Sequence, residues 1–329
     1  MKHLLLLAAL TLGLAPAQAV NTKGLPAAGA GGFVHVSVRQ LDQSKFGTAI
    51  DKAFGDEFRA SQIFRDLKEK LGLDLEQDLQ DVTLVFYPRD TAGDAAIVGV
   101  LHGRFDVPKI ERFAKSGNVS SRVVGKFTAW NADELGHALD AKHDAQSKRG
   151  IPYVIPLSAT TLLIADADVL PAAIDAYTGT QPSFQPAAGL AARLADPAAP
   201  FLLADGDRAA MKMPADQSGL LHAWVTLGEV GPNLVLSLDA TLITAGKATQ
   251  LASQFKGLAG MIGLGLMDET NKSAEQIAGQ RVLSELLQSL KVEAQGDHAV
   301  LSISYDAEKA AMGLIKAAIA QKVKAATGK

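Results

Sequence analysis

The chain has 329 residues, 48% of them apolar and 5% aromatic, with a formal net charge of −3 and no cysteine. That composition describes a globular protein that builds its own core, and it excludes thiol catalysis, disulfide staples and thiolate metal sites. The weak acidic balance argues against nucleic acid and against the broad basic face that an anionic membrane would call for.

The opening residues, MKHLLLLAALTLGLAPAQA, combine one lysine, an apolar stretch from Leu4 to Ala15, Pro16 and the small-residue site Ala17-Gln18-Ala19. They read as a signal peptide over 1–19, cleaved after Ala19, so the chain is expected in the periplasm or outside the cell. The apolar stretch falls short of the roughly 20 residues needed to cross a bilayer. No arginine pair precedes it and no cysteine can carry a lipid, so ordinary export is expected, with no transmembrane segment left after cleavage. Residues 20–32, rich in glycine and alanine, read as a flexible leader.

From Phe33 the pattern has a period of two: Val34, Val36 and Val38 alternate with Phe33, His35, Ser37 and Arg39, which predicts a strand with one buried face. The period then changes. Phe46, Ala49, Ile50, Ala53 and Phe54 recur at helical spacing, and Ile63, Phe64, Leu67 and Leu71 do so again, which predicts two amphipathic helices. The stretch VTLVFYPRDTAGDAAIVGVLHGRF reads as a hairpin, and DVPKIERFAKSG after it as a helix with Ile110 and Phe113 inward. The same unit recurs around Gly231-Pro232-Asn233, where Leu234, Leu236, Leu238 and Leu242 share one face and a helix from Ala245 follows. It recurs again at Gly296-Asp297, and in a looser form from Ile151 to Tyr177. At each seam a short polar side chain stands where a helix lacks acceptors for its first amides: Asp106, Asp166 or Asp168, Thr244 and Asp306. Pro108 fits the first helical turn. His102 and Arg104, opposite in parity to Leu101 and Phe105, are expected to face solvent or a neighbouring element.

These units predict an α+β fold: antiparallel sheets covered on one side by helices, with repeated ββα units in two similar halves, 33–199 and 200–329, joined near Asp196–Pro200. The segments GFVHVSVRQL, LGLDLEQDLQDVTLVF and GVLHGRFDVPKIERF resemble exported bacterial proteins of unknown function. Those proteins share a strand, a helical pair, an acidic lead-in and a strand ending in glycine before the next helix. The resemblance implies a secreted, repeat-built chain and carries no functional residue with it.

No constellation commits the chain to chemistry, so no catalytic, cofactor-binding or metal residue is assigned and no cofactor is expected. In the long polar connection 131–150, Asp133, Glu134, Asp140, His137 and His143 include pairs three or four apart, but the HExxH spacing is missing. There is no GxSxG elbow. ITAGKATQ lacks the first glycine and the hydroxyl of a phosphate loop. Asp205 and Asp207 have calcium-loop spacing, but Ala209 and Ala210 stand where the next ligand and the glycine belong. The apolar run 255–267 is expected to be buried between layers, with lipid or membrane contact as its other reading. The lysines at 316, 322, 324 and 329 read as a solvated face. The leading functional reading is an exported, non-enzymatic binding or scaffolding protein of the cell envelope with an envelope protein as partner. The alternatives are a hydrolase with a site assembled between the halves and a carrier of lipid or another apolar ligand.

Overall fold

The alternation that begins at Phe33 is realised as β1 (Gly32–Ser37), which ends where the Ser37 hydroxyl accepts the Gln40 amide and starts α1 (Val38–Gln43). Ser44 caps α2 (Lys45–Ala60) in the same way, and Ser61 caps α3 (Gln62–Asp66), which continues into a π turn over Leu67–Leu71. Each hydroxyl satisfies an amide that has no partner in the first helical turn. Next come α4 (Leu75–Asp78), β2 (Leu79–Pro88), β3 (Ala95–Gly103) and α5 (Val107–Ser116). The hairpin β4 (Ser121–Val124) and β5 (Phe127–Asn131) leads into α6 (Ala132–Leu139), and β6 (Pro152–Ser158) and β7 (Thr161–Asp166) lead into α7 (Leu170–Thr178). A second series contains β8 (Leu202–Asp207), β9 (Leu220–Val230), β10 (Asn233–Leu242), α8 (Ala245–Leu266), β11 (Lys291–Gln295) and β12 (His298–Asp306), with residues 307–313 helical after it. The structure is a computed structural model and describes residues 22–90, 94–139, 152–186, 200–210, 219–266, 280, 284–313 and 315.

Among the described residues the strands form one antiparallel sheet in the order β11-β12-β10-β9-β8-β1-β2-β3-β7-β6-β5-β4. The hairpins expected at Gly231 and Gly296 are present, and both glycines adopt φ 61°, the left-handed conformation that such tight turns demand. The middle pair, β1 and β8, aligns Val34 with Ala204 and Val36 with Leu202. Outward from that pair, one wing reads β1, β2, β3, β7, β6, β5, β4 and the other β8, β9, β10, β12, β11.

Successive side chains on a strand point to opposite faces, so the register sorts them. On one face of the first wing, Phe33, Val85 and Val98 form a cross-strand row, and Val100, Leu163 and Ile155 continue the next. All are buried under Leu25 and the α7 residues Leu170, Ala173 and Ile174. In β1 it is therefore Phe33 and His35 that lie in the core, while Val34 and Val36 are half-buried. On the other face of the same wing, Leu101 and Leu162 pack with Leu71, Phe105 and Ile110. Helical segments thus cover both faces of this wing, where the sequence leads one to expect a single covered side. The reason is visible in β3 and β7, whose apolar residues occupy consecutive positions and so project both ways. In the second wing, α8 rests Ala248 and Leu251 on Ala240, Leu242 and Ala299.

Candidate functional site

The polar residues at the seams close backbone valences or pair with one another. Asp106 accepts the Lys109 amide at 3.0 Å, with Pro108 in the first turn of α5. Thr244 accepts from Lys247 at 3.2 Å and Asp306 from Lys309 at 2.9 Å. Arg104 is exposed and pairs with Asp78 at 2.9 Å. Asp166 and Asp168 depart from expectation. Arg89 holds them at 3.2 and 3.0 Å, together with Asp94, and α7 begins without a side-chain cap. A guanidinium offers charge-assisted bonds that outcompete a neutral amide for the same carboxylates. Hydrogen bonding to Arg89 holds Asp168 below the usual carboxylate range, whereas burial holds Asp166 above it.

A polar inlay lies within the buried face of the first wing. His35 Nδ1 is 2.9 Å from the Thr83 hydroxyl, and burial, with a smaller contribution from nearby His102, pushes its imidazole down to about 4. His102 faces Asp81 in the β2–β3 register. The buried atoms His102 Nε2 and Asp81 Oδ1 have no hydrogen-bond partner, and burial holds the Asp81 carboxyl above its ordinary value against the pull of His102. On the same face of the second wing, His222 Nε2 is 2.7 Å from Asp205, and His298 Nδ1 is 2.7 Å from Asp239. Asp205, Trp224 and Asp239 form one cross-strand row there. Asp207, the other acid of the calcium-like spacing, accepts the Ala210 amide and forms a turn.

In the connection 131–150, α6 covers Asp133, Glu134 and His137, and the Glu134 carboxylate accepts from Ser120 and Asn131. Asp140, His143 and the rest of that stretch lie outside the described residues, as do Asp196 to Ala199 and the lysines at 316, 322, 324 and 329. Among the described residues no three or more His, Asp or Glu side chains are grouped to hold a metal ion.

The opposite face of the central strands is a different surface. Leu84, Val34, Ala204, Val225, Leu238 and Leu301 form one unbroken cross-strand row from β2 to β12. Val82, Val36, Leu202, Leu227, Leu236 and Ile303 form the next. Every one of these apolar side chains is only half-buried, in contrast to the fully buried rows on the other side of the first wing. The strip crosses six strands, about 24 Å at a spacing near 4.8 Å. Beside its middle, on β9, Glu229 on the same face accepts the Lys45 and Phe46 amides and pins the start of α2 there. Towards its β12 end, α8 crosses β10, β12 and β11. Past its packed first half, α8 turns apolar side chains outward: Leu258 is 50%, Met261 66% and Ile262 40% exposed. Leu251, Gln254, Phe255, Leu258 and Met261 line an open depression of about 560 Å³. The run from Phe255 is thus not buried between layers over its described part, because the sheet reaches only as far as the side of Ala248 and Ala252.

No protein-family model and no curated protein matches the chain. Crystal forms I, III and IV of TP0453, from Treponema, are similar to it with TM-scores of 0.46, 0.49 and 0.48. Each is 10% identical and covers 91%, 90% and 93% of this chain and 98% of the other.

Chemically, the two surfaces differ in what they offer. The histidine bonded to a hydroxyl sits on β1–β2, whereas the register sets His222, Thr241 and His298 in one cross-strand row beside Asp205 and Asp239 on β8 to β12. The apolar strip offers contact area without directional bonds. Its residues were visible in the sequence as the alternations Leu234-Leu236-Leu238 and Val34-Val36. That these alternations fall in register across six strands depends on strand order, for which the sequence carries no local signal.

Proposed function

We propose that the chain is a non-catalytic binding protein of the cell envelope, and that its ligand is the acyl chain of a lipid laid along the apolar strip. The observation that carries this reading is the pair of apolar rows spanning six strands with no side chain fully buried. Contiguous apolar surface of that extent marks a binding site. One acyl chain, about 15 Å long as half of a bilayer's hydrocarbon core, fits within the strip's length. The strip itself contains no ionisable side chain, so an uncharged hydrocarbon is its complement. This favours the apolar-ligand reading over a protein scaffold.

The signal-like opening residues and the resemblance to exported bacterial proteins support the envelope as its location. The parallel order of the first five strands of each wing, with the β5–β4 hairpin added at the end of the first, supports two similar ββα-built halves, 33–199 and 200–329, with the strip running across their junction. The test uses a fluorescent long-chain fatty acid with the purified chain. Enhanced fluorescence, displaced by palmitate, is expected. Leu227→Asp and Leu236→Asp should weaken binding about tenfold or more by putting a carboxylate against hydrocarbon, and Ser304→Asp, on the opposite face, should not. Folded wild-type protein that leaves the probe dark, or a Leu227→Asp protein that binds it normally, overturns the reading.

A further inference from the structure

We propose that the polar face of the second wing binds a linear alkyl diamine, with Trp224 against its methylenes and Asp205 and Asp239 at its two ammonium groups. This site goes beyond the acyl-chain reading, because it lies on the opposite side of the sheet from the apolar strip. The register places Asp205 on β8, Trp224 on β9 and Asp239 on β10 in one row, so the half-buried indole stands between the two carboxylates. The outer strands of that row are about 10 Å apart, two strand spacings. In the adjacent row, His222, Thr241 and His298 stand on β9, β10 and β12. His222 Nε2 meets Asp205 Oδ1 and His298 Nδ1 meets Asp239 Oδ1, both at 2.7 Å. Both carboxylates thus lean the same way along the sheet, and their separation is kept. Among the described residues the second oxygen of each makes no hydrogen bond.

Charge and spacing select the ligand. Asp207 and Glu293 add carboxylates to the same face, against Lys291 on the edge strand β11, and a surface of that balance attracts cations. Among the described residues no three His, Asp or Glu side chains are grouped around one ion, so the two acids of the row call for two separate cationic groups. Between them the indole offers an apolar ring whose face also attracts an ammonium. A diamine has this order of parts: a charge, a short hydrocarbon chain, a charge. About five methylenes with an ammonium at each end bridge a gap of two strand spacings. Each ammonium would form a charge-assisted bond to the second oxygen of its carboxylate, which the imidazole already holds in place. Burial raises the Asp205 carboxyl, and a cation beside it would relieve that cost. Both imidazoles remain partly exposed, so the row is open to solvent.

Equilibrium dialysis of the purified chain against radiolabelled cadaverine tests the assignment. The label should concentrate with the protein. Unlabelled pentylamine, which leaves one carboxylate unmet, should displace it about tenfold less well than unlabelled cadaverine, and pentanediol should not displace it. Asp239→Asn keeps the size of the side chain and removes its charge, and should weaken binding about tenfold. Trp224→Leu keeps an apolar side chain without the ring, and should weaken it about fivefold. Leu227→Asp, on the other side of the sheet, should bind cadaverine as the wild type does while losing the fatty-acid probe, which separates this site from the strip. Folded wild-type protein that does not retain the label overturns the proposal. So does pentylamine or pentanediol that competes as well as cadaverine, or an Asp239→Asn protein with wild-type affinity.

Discussion

His35 shows how one side chain couples the fold to pH. It is buried against Thr83, and burial lowers its imidazole to about 4, so it is neutral in the native protein at ordinary pH. In the unfolded chain it titrates near 6.5. Between those two values the unfolded state binds more protons than the native one, so stability falls as pH drops from about 6.5 to about 4, by on the order of 3 kcal/mol in total. Above that window this group contributes no slope. His298 acts in the opposite sense: its hydrogen bond to Asp239 raises it, so its stabilisation is present below its unfolded value and lost as pH rises through the folded one. That side chain is 42% exposed, and solvent keeps its share small. His35→Gln removes the titration and keeps a polar partner for Thr83. In urea unfolding, the variant should therefore lose less stability between pH 7 and pH 4.5 than the wild type does. A wild-type protein equally stable at both values would mean that His35 is solvated. Nothing in GFVHVSVRQL singled out His35, because alternation assigns it a face and says nothing of what covers that face.

At the scale of elements, the joint between β3 and α5 shows which features a sequence can carry. The Asp106 cap and Pro108 act within three residues of the amides they serve, and so they were legible. Asp106→Ala should cost about 1 kcal/mol, the usual value of such a cap. Gly103, three residues earlier, answers to a distant neighbour. A β-carbon there would lie 2.1 Å from the Asp78 carbonyl oxygen, which is backbone and cannot swing away. Gly103→Ala should therefore cost more than the lost cap, on the order of 3 kcal/mol, read from the same urea midpoints. Equal effects would mean that the chain at Asp78 moves aside freely. The same division between local and distant causes explains the other outcomes. The hairpins at Gly231 and Gly296 were legible from turn chemistry. The start of α7 departs from the sequence reading because Arg89, just past the end of β2, takes the carboxylates that local spacing offered as caps.

At the scale of the molecule, the sheet has one apolar surface closed by its own chain and another left partly open, and the two can be told apart energetically. Leu163 is fully buried under α7, and Leu227 is half-buried in the middle of the strip. Both are leucines in interior strands of the same sheet, so strand propensity and backbone pairing are matched between them. Leu163→Ala removes packed atoms and leaves a cavity, and should cost about 2–5 kcal/mol. Leu227→Ala removes atoms that already meet solvent and should cost less than half as much. Adding the fatty acid should widen the difference between wild type and Leu227→Ala, because a ligand that binds only the native state raises its stability with concentration, while Leu163→Ala should gain nearly as much from the ligand as wild type does. Were Leu227→Ala as damaging as Leu163→Ala in the absence of ligand, the strip would be ordinary core. Its two apolar rows would then report folding, and the binding role would fall with them.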